Sequence, residues 1–142
     1  MALLKKMRID IREERGLATV EMAIVSLLLM LLTFGGMEYG WLFYRMQEIS
    51  NVSREAVRQA VLPTSTGASV TDHVTTMMDD FGMGSASYTL TITPSDITSV
   101  SPQNPIKVTI SVPYDDVGLT GLAIFPTPAN ISSSATMSRE GP

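Results

Sequence analysis

The sequence contains no cysteine and only one histidine, His73. Without cysteine the chain has no disulfide framework and no thiolate metal site, and its redox compartment stays undetermined. A single histidine without clustered ligands is not a metal site, so we interpret His73 as a surface residue. The pairs Asp79-Asp80 and Asp115-Asp116 lie near glycines, but neither resembles the spacing of an EF-hand loop. We expect no metal and no cofactor.

Basic side chains are scarce after residue 15. Residues 1–15 hold five basic and three acidic side chains, whereas the remainder holds five basic and eleven acidic ones. The net charge of −4 therefore divides into +2 and −6. Since a nucleic-acid-binding protein needs a basic face, we expect no nucleic-acid binding. The serines and threonines form no recognisable arrangement of nucleophile and base, so we do not expect an enzyme.

Ionisable groups are absent from Met22 to Met37, a run of 16 residues. Counted from Leu17 the stretch has 21 residues, roughly 31 Å of helix, which fits the ~30 Å hydrocarbon core of a bilayer. Basic residues just before it predict a cytoplasmic N-terminus and an outward C-terminal part. Aromatic residues mark the outer boundary: Tyr39, Trp41, Phe43 and Tyr44. We therefore interpret residues 17–40 as a single transmembrane helix in a lipid bilayer.

Glu21 lies inside this apolar stretch, where an acid usually has a partner. A cut after Gly16 would make Leu17 a new N-terminus with a free ammonium group, one helical turn from Glu21. Glu21 could then pair with its own amine or with that of a neighbouring helix. Gly36 and Gly40 form a G-x-x-x-G pair, which lets helices approach closely.

The residues around this cut resemble a known pattern. RGLATVE (residues 15–21) is similar to the processing site of type IV prepilins, with a basic leader, a glycine at the cut and a glutamate fifth after it. GMEYG (residues 36–40) and the alanine- and arginine-containing helix of residues 51–61 extend the likeness. Together they resemble the TadE-like family of minor pilins (pseudopilins) of tight-adherence (Flp) type IV pilus systems.

The resemblance implies a non-enzymatic protein that a prepilin peptidase cuts between Gly16 and Leu17. The mature chain would span the inner membrane once, with its head in the periplasm, and reach the extracellular pilus after assembly. Its partners would be other pilins and pseudopilins, met through Glu21, and the inner-membrane assembly platform. It would help to initiate or cap the pilus and so support adhesion or secretion. Met22 after Glu21, and the length of the chain, distinguish it from the main filament subunit.

Other interpretations remain open on the sequence. The helix is also compatible with an uncut signal anchor that carries a periplasmic binding head. A secretory signal cut near Thr33-Phe34-Gly35 would release a free protein, although its apolar core is longer than usual. An enzyme anchored to the membrane would need a polar catalytic cluster.

The fold predicted from periodicity is α+β. We expect a leader at 1–16, the transmembrane helix at 17–40, an amphipathic continuation at 41–62 that Pro63 ends, and a head at 63–142. The continuation carries one predicted stripe: Leu42, Met46, Ile49, Ser53, Ala56 and Ala60. The charged residues near it are predicted to form a solvated face: Arg45, Glu48, Arg54, Glu55 and Arg58.

The head is predicted to contain one short helix and about three antiparallel strands. The helix spans residues 70–81, with apolar residues on one face and Gly82 at its end. Alternating patterns predict strands at 87–93, 106–114 and 131–137. We expect these elements to pack on the stripe of the long helix.

Overall fold

The computed structural model describes the backbone of residues 2–121 and 125–141, and the side chains of those residues from Gly16 onward. The chain divides into two compact units, Met1–Met37 and Glu38–Pro142. The predicted leader lies largely outside the described side chains.

The first helix, α1, spans Ala2–Ala60. Leucine, methionine and alanine dominate its apolar stretch and favour helix, and the first proline of the chain is Pro63. Among the described side chains of the unit Met1–Met37, the large apolar ones are exposed, from 42% at Leu31 to 73% at Leu32. The helix is long and apolar enough to cross a membrane, and an apolar surface of this extent marks an interaction with lipid or protein.

The part of α1 that belongs to the unit Glu38–Pro142 presents one buried face. Leu42, Ile49, Ser53, Ala56 and Ala60 are buried as predicted. Three predictions were wrong: Met46 is 43% exposed, whereas Glu48 and Arg45, both expected on the solvated face, are largely buried, with Glu48 only 6% exposed and the Arg45 side chain only 13%. Arg45 and Glu48 lie on the same side of α1 as Val52, which is fully buried, so the buried face is wider on that side than the predicted stripe.

The second helix, α2, spans Gly67–Asp80 and begins three residues earlier than predicted. Thr66 caps it, since its hydroxyl accepts a hydrogen bond from the Ser69 N–H at 3.2 Å while the Ser69 hydroxyl accepts from the Thr66 N–H at 3.1 Å. Val70, Val74 and Met78 are fully buried. Beyond α2, Gly82 has a φ of 68°, a left-handed conformation that glycine adopts without steric cost.

Three strands form one antiparallel sheet in the order β1-β2-β3. They are β1 (Thr89–Thr93), β2 (Pro105–Pro113) and β3 (Asn130–Ser138). The central strand β2 pairs with both neighbours, and its alternate residues are fully buried: Ile106, Val108, Ile110 and Val112. Pro113 ends β2, and a short 3-10 turn, Tyr114–Asp116, follows.

The buried faces of α1, α2 and the sheet share one hydrophobic core. Loop residues complete it, with Met83, Ile97 and Val117 each no more than 5% exposed. The long helix, the short second helix and the three-stranded antiparallel sheet confirm the predicted α+β class.

Candidate functional site

The residues of the predicted cut lie on an exposed part of α1. A side-chain carbon added at Gly16 would meet no atom within 4 Å, and Leu17 is 72% exposed. Glu21 is exposed as well and forms no hydrogen bond or ion pair with any described residue. The acid that the sequence singled out therefore has no partner among the described residues.

Neither predicted packing glycine is required by contacts within the chain. A side-chain carbon added at Gly36 or at Gly40 would meet no atom within 4 Å. Glycine inside a helix costs roughly 0.5–1 kcal/mol relative to alanine. The described part of the chain offers no steric compensation for that cost at either position.

Glu38 is the acid whose role the sequence did not reveal. It is 2% exposed and accepts three hydrogen bonds: from the Tyr114 hydroxyl at 2.5 Å, the Thr120 hydroxyl at 2.7 Å and the Thr120 N–H at 3.2 Å. We call Glu38, Tyr114 and Thr120 the Glu38 cluster. Burial and the hydrogen bond to Glu38 raise the pKa of the Tyr114 phenol above its ordinary value.

Aromatic residues beside Glu38 hold the same loop. The Tyr39 hydroxyl donates to the Pro126 carbonyl at 3.0 Å, and the Trp41 indole N–H donates to the Val117 carbonyl at 2.7 Å. The residues predicted to mark a membrane boundary thus also bind the polypeptide that follows β2. One turn of α1 thereby holds Tyr114, Val117, Thr120 and Pro126.

Arg45 extends this arrangement along α1. Its guanidinium donates to the Glu48 carboxylate at 2.7 Å and to the Phe81 carbonyl at 2.9 Å. It also lies 4.7 Å from the centre of the Trp41 ring, within range of a cation–π interaction. Arg45 and Glu48 therefore link α1 to the end of α2 instead of forming the solvated face that we expected.

A cavity of about 260 Å³ opens beside the Glu38 cluster. Its remaining lining comes from the loop after β2: Asp115, Gly118, Gly121, Phe125, Pro126 and Thr127. Asp115, the second carboxylate of this lining, is exposed.

Metal-binding geometry is absent from the described residues, which contain no group of three histidine, cysteine or acidic residues that could hold an ion. His73 is half-buried, whereas we expected a surface position. Its Nε2 atom is enclosed and has no hydrogen-bond partner among the described residues. A single enclosed imidazole supplies neither a metal site nor a nucleophile–base pair.

Comparison with known proteins bears on the long helix. Residues 16–58 match the family model described as TadE-like protein. The TadE-like segment begins at Gly16 and includes Glu21, Glu38 and both predicted packing glycines. The match confirms the resemblance and supports a pilin-like protein associated with a tight-adherence pilus. No curated protein and no solved structure matches the chain.

The TadE-like segment covers less than a third of the chain, and it is structural in character. Its apolar helix is a candidate membrane anchor. Sequence reasoning applied the cost of an intramembrane acid to Glu21 but not to Glu38. Glu38 lies in the same apolar segment, so the same cost predicts a buried partner for it, although not which residues supply that partner.

Proposed function

We propose that this chain is a minor pilin or pseudopilin of a tight-adherence type IV pilus, cut between Gly16 and Leu17. The observation that carries the proposal is the TadE-like match that begins at Gly16. Residues 17–142, which follow the cut, hold five basic and eleven acidic side chains and are distinctly acidic. Its helix would anchor it once in the inner membrane, with the head in the periplasm.

Glu21 supports this assignment through what it lacks. An acid at the centre of a membrane helix costs roughly 2.5–3.5 kcal/mol on insertion scales, and less near an end. No described residue donates a hydrogen bond to Glu21, which leaves this acid available to a partner created by the cut or supplied by a neighbouring chain. The ammonium group exposed by a cut before Leu17, its own or that of a neighbouring pilin, supplies the required charge.

The two glycines supply the space for such a neighbour. Open surroundings at Gly36 and at Gly40 leave the backbone accessible, and small residues at this spacing let membrane helices pack closely. The exposed apolar side chains of residues 17–34 would then contact lipid before assembly and other pilin helices after it. The chain would act early, helping to initiate or cap the pilus on the inner-membrane assembly platform.

The cut is tested by the mass of the N-terminal peptide of the protein purified from native membranes. We expect a chain that begins at Leu17. Gly16→Ala should prevent processing, whereas Gly36→Ala, an equally open glycine on the same helix, should be processed normally. A chain that begins at Met1 or Ala2 would contradict the peptidase assignment and favour an uncut signal anchor with a binding head.

The role of Glu21 is tested by pilus assembly. Glu21→Ala should insert into the membrane as the wild type does but reduce the number of pili, because the helix has lost its charged contact with an amine. Glu55→Ala removes an exposed acid from the same helix and should leave piliation unchanged. Equal piliation in wild type and Glu21→Ala would show that this acid is not an assembly contact.

A further inference from the structure

The outer edge of β3 carries unpaired backbone groups. Two hydrogen bonds at 2.9 Å identify which residue pairs of β2 and β3 are hydrogen-bonded pairs. They run from the Tyr114 N–H to the Ala129 carbonyl and from the Arg139 N–H to the Asn104 carbonyl. In an antiparallel ladder, alternate residues direct both backbone groups at the partner strand. Ser132, Ser134 and Thr136 therefore direct theirs away from β2.

The described residues of this edge supply no charge, no proline and no bulge. Ser132, Ser134 and Thr136 are exposed, and no described residue forms a hydrogen bond with their outward groups. The nine residues Asn130–Ser138 contain no charge and no proline. Natural sheets blunt edges of this kind with charges, prolines or bulges, because an open edge pairs with another strand.

The opposite edge of the sheet is open in the same way. Thr91 pairs with Thr109 of β2. Because hydrogen-bonded and non-hydrogen-bonded pairs alternate along an antiparallel ladder, the backbone groups of Leu90 and Ile92 point away from β2. These groups also have no hydrogen-bond partner among the described residues. Since β1 and β3 are each antiparallel to β2, they run parallel to each other.

The membrane anchor selects between two ways of joining copies. Pairing β3 with β3 of a second copy in antiparallel fashion places a two-fold axis perpendicular to the sheet, so residues 38–60 of α1, which pack on the sheet, would run in opposite directions in the two heads. The Glu38 ends, to which the two anchors are joined, would then lie at opposite ends of the pair. Pairing β3 with β1 of the next copy keeps both Glu38 ends on the same side, as anchoring in one bilayer requires.

We propose that the outer edge of β3 binds the outer edge of β1 from a second copy of this chain, so that heads anchored in one membrane join into a continuous sheet. The inference rests on the proposed function, which places the anchors side by side in a single bilayer. Each joined copy leaves one edge open, so the contact is heterologous and can continue.

We expect the contact between β3 and β1 of two copies to be weak because it is small. β1 has five residues, and a specific stable interface buries about 1,200–2,000 Å², more than one such pair of short strands provides. Confinement to a membrane raises the effective concentration of the second edge. We therefore expect pairing between anchored copies in a bilayer and little pairing in dilute detergent solution.

Cysteine cross-linking tests the pairing, because the natural chain has no cysteine. Ser134→Cys and Thr91→Cys, made in separate full-length chains of different tag length, are reconstituted together in phosphatidylethanolamine–phosphatidylglycerol vesicles and oxidised. Both side chains are exposed on the sheet face opposite the core. Neighbouring positions cover other registers, namely Ser132 and Thr136 on β3 with Thr89 and Thr93 on β1.

We expect mixed products in one preferred register and few products from Ser134→Cys alone. Lys107→Cys provides the matched control, since this exposed residue lies on the same face of the central strand. Mixed products no more abundant than those of Lys107→Cys would overturn the proposal. A Ser134→Cys chain that cross-links to itself as readily as to Thr91→Cys would overturn it as well, in favour of two-fold pairing.

A proline variant separates pairing from folding. Ser134→Pro, made in the Ser132→Cys chain, removes an outward N–H and no hydrogen bond of the β2–β3 ladder, so edge proline is tolerated there. It should lower mixed cross-linking about tenfold, equivalent to 1.4 kcal/mol, with unchanged Trp41 fluorescence. Ser134→Thr is the control and should retain cross-linking. Equal yields from the Pro and Thr variants would overturn the proposal.

The two proposals fail separately. A chain that begins at Leu17 and gives no mixed product overturns the edge pairing and leaves the pilin assignment intact. Mixed product from a chain that is never cut supports the edge pairing and overturns the proposed cleavage.

Discussion

Removing one hydroxyl from the Glu38 cluster should destabilise the unit Glu38–Pro142 more than its size suggests. The Tyr114 hydroxyl donates to Glu38 Oε1 at 2.5 Å, and Tyr114 and Glu38 are 4% and 2% exposed. A hydrogen bond to a charged group contributes about 1.5–3 kcal/mol, and water cannot replace it where both partners are buried. We expect Tyr114→Phe to lower the free energy of unfolding by about 2 kcal/mol.

A double-mutant cycle assigns this loss to the contact itself. Glu38→Gln keeps the size of the side chain but removes its charge, and it should also destabilise because the two bonds from Thr120 weaken. If the hydroxyl and the carboxylate act together, the double variant loses less than the sum of the single variants, by about 0.5–3 kcal/mol.

Urea unfolding of the full-length protein in detergent micelles, followed by Trp41 fluorescence, is the assay. Trp41 is the only tryptophan, and its hydrogen bond to the Val117 carbonyl makes it report on the loop that carries the cluster. Tyr88→Phe is the matched control, because among the described residues the Tyr88 hydroxyl forms its hydrogen bond with the exposed Thr75 hydroxyl, at 2.9 Å. The reasoning is refuted if Tyr114→Phe costs no more than Tyr88→Phe, or if the cycle shows no coupling.

Three further changes probe the same unit. Because the pKa of Tyr114 is raised, its stabilising effect is complete below the ordinary phenol pKa of about 10 and is lost only as pH rises through the higher folded value. The tyrosinate absorbance that the wild type gains over Tyr114→Phe should therefore appear well above pH 10, and a gain near pH 10 would contradict this. Gly82→Ala forces a φ of 68° on alanine and should lower the free energy of unfolding, measured in urea, by about 1–2 kcal/mol. Gly67→Ala, at a position with open space around it, should leave that free energy nearly unchanged. Thr66→Ala removes the α2 cap and should lower the free energy of unfolding by about 0.5–2 kcal/mol. Thr71→Ala, an exposed position within α2, is the control and should have a smaller effect. Equal urea midpoints for the two variants would argue against the capping box.

Periodicity was sufficient for the elements of this fold. The alternation of Ile106, Val108, Ile110 and Val112 identified the central strand, and all four residues are fully buried. Apolar spacing from Val70 to Met78, followed by Gly82, identified α2. These patterns work because one face of each element meets the core, so that hydrophobicity along the chain reports burial directly.

Polar contacts between distant residues could not be predicted in the same way. Arg45 and Glu48 are hydrophilic, yet they lie between α1 and the end of α2. They are tolerated there because they form an ion pair with each other and because the Phe81 carbonyl accepts a hydrogen bond from Arg45. The free energy of such a contact depends on which loop meets the helix. The contact between loop and helix is determined by tertiary packing and produces no periodic pattern of residues in the sequence.

The contrast between Glu21 and Glu38 carries the argument for assembly. Both acids lie in the same apolar helix, but Glu38 accepts three hydrogen bonds from residues of its own chain, whereas Glu21 has no partner among the described residues. Replacing Glu38 by alanine should therefore lower the stability of the unit Glu38–Pro142 in micelles, and replacing Glu21 should leave that stability unchanged. If Glu21→Ala impairs piliation while the urea midpoint stays at the wild-type value, the acid acts between subunits. A lowered midpoint in Glu21→Ala would instead assign it a role in folding, and the intermolecular contact would lose its physical basis.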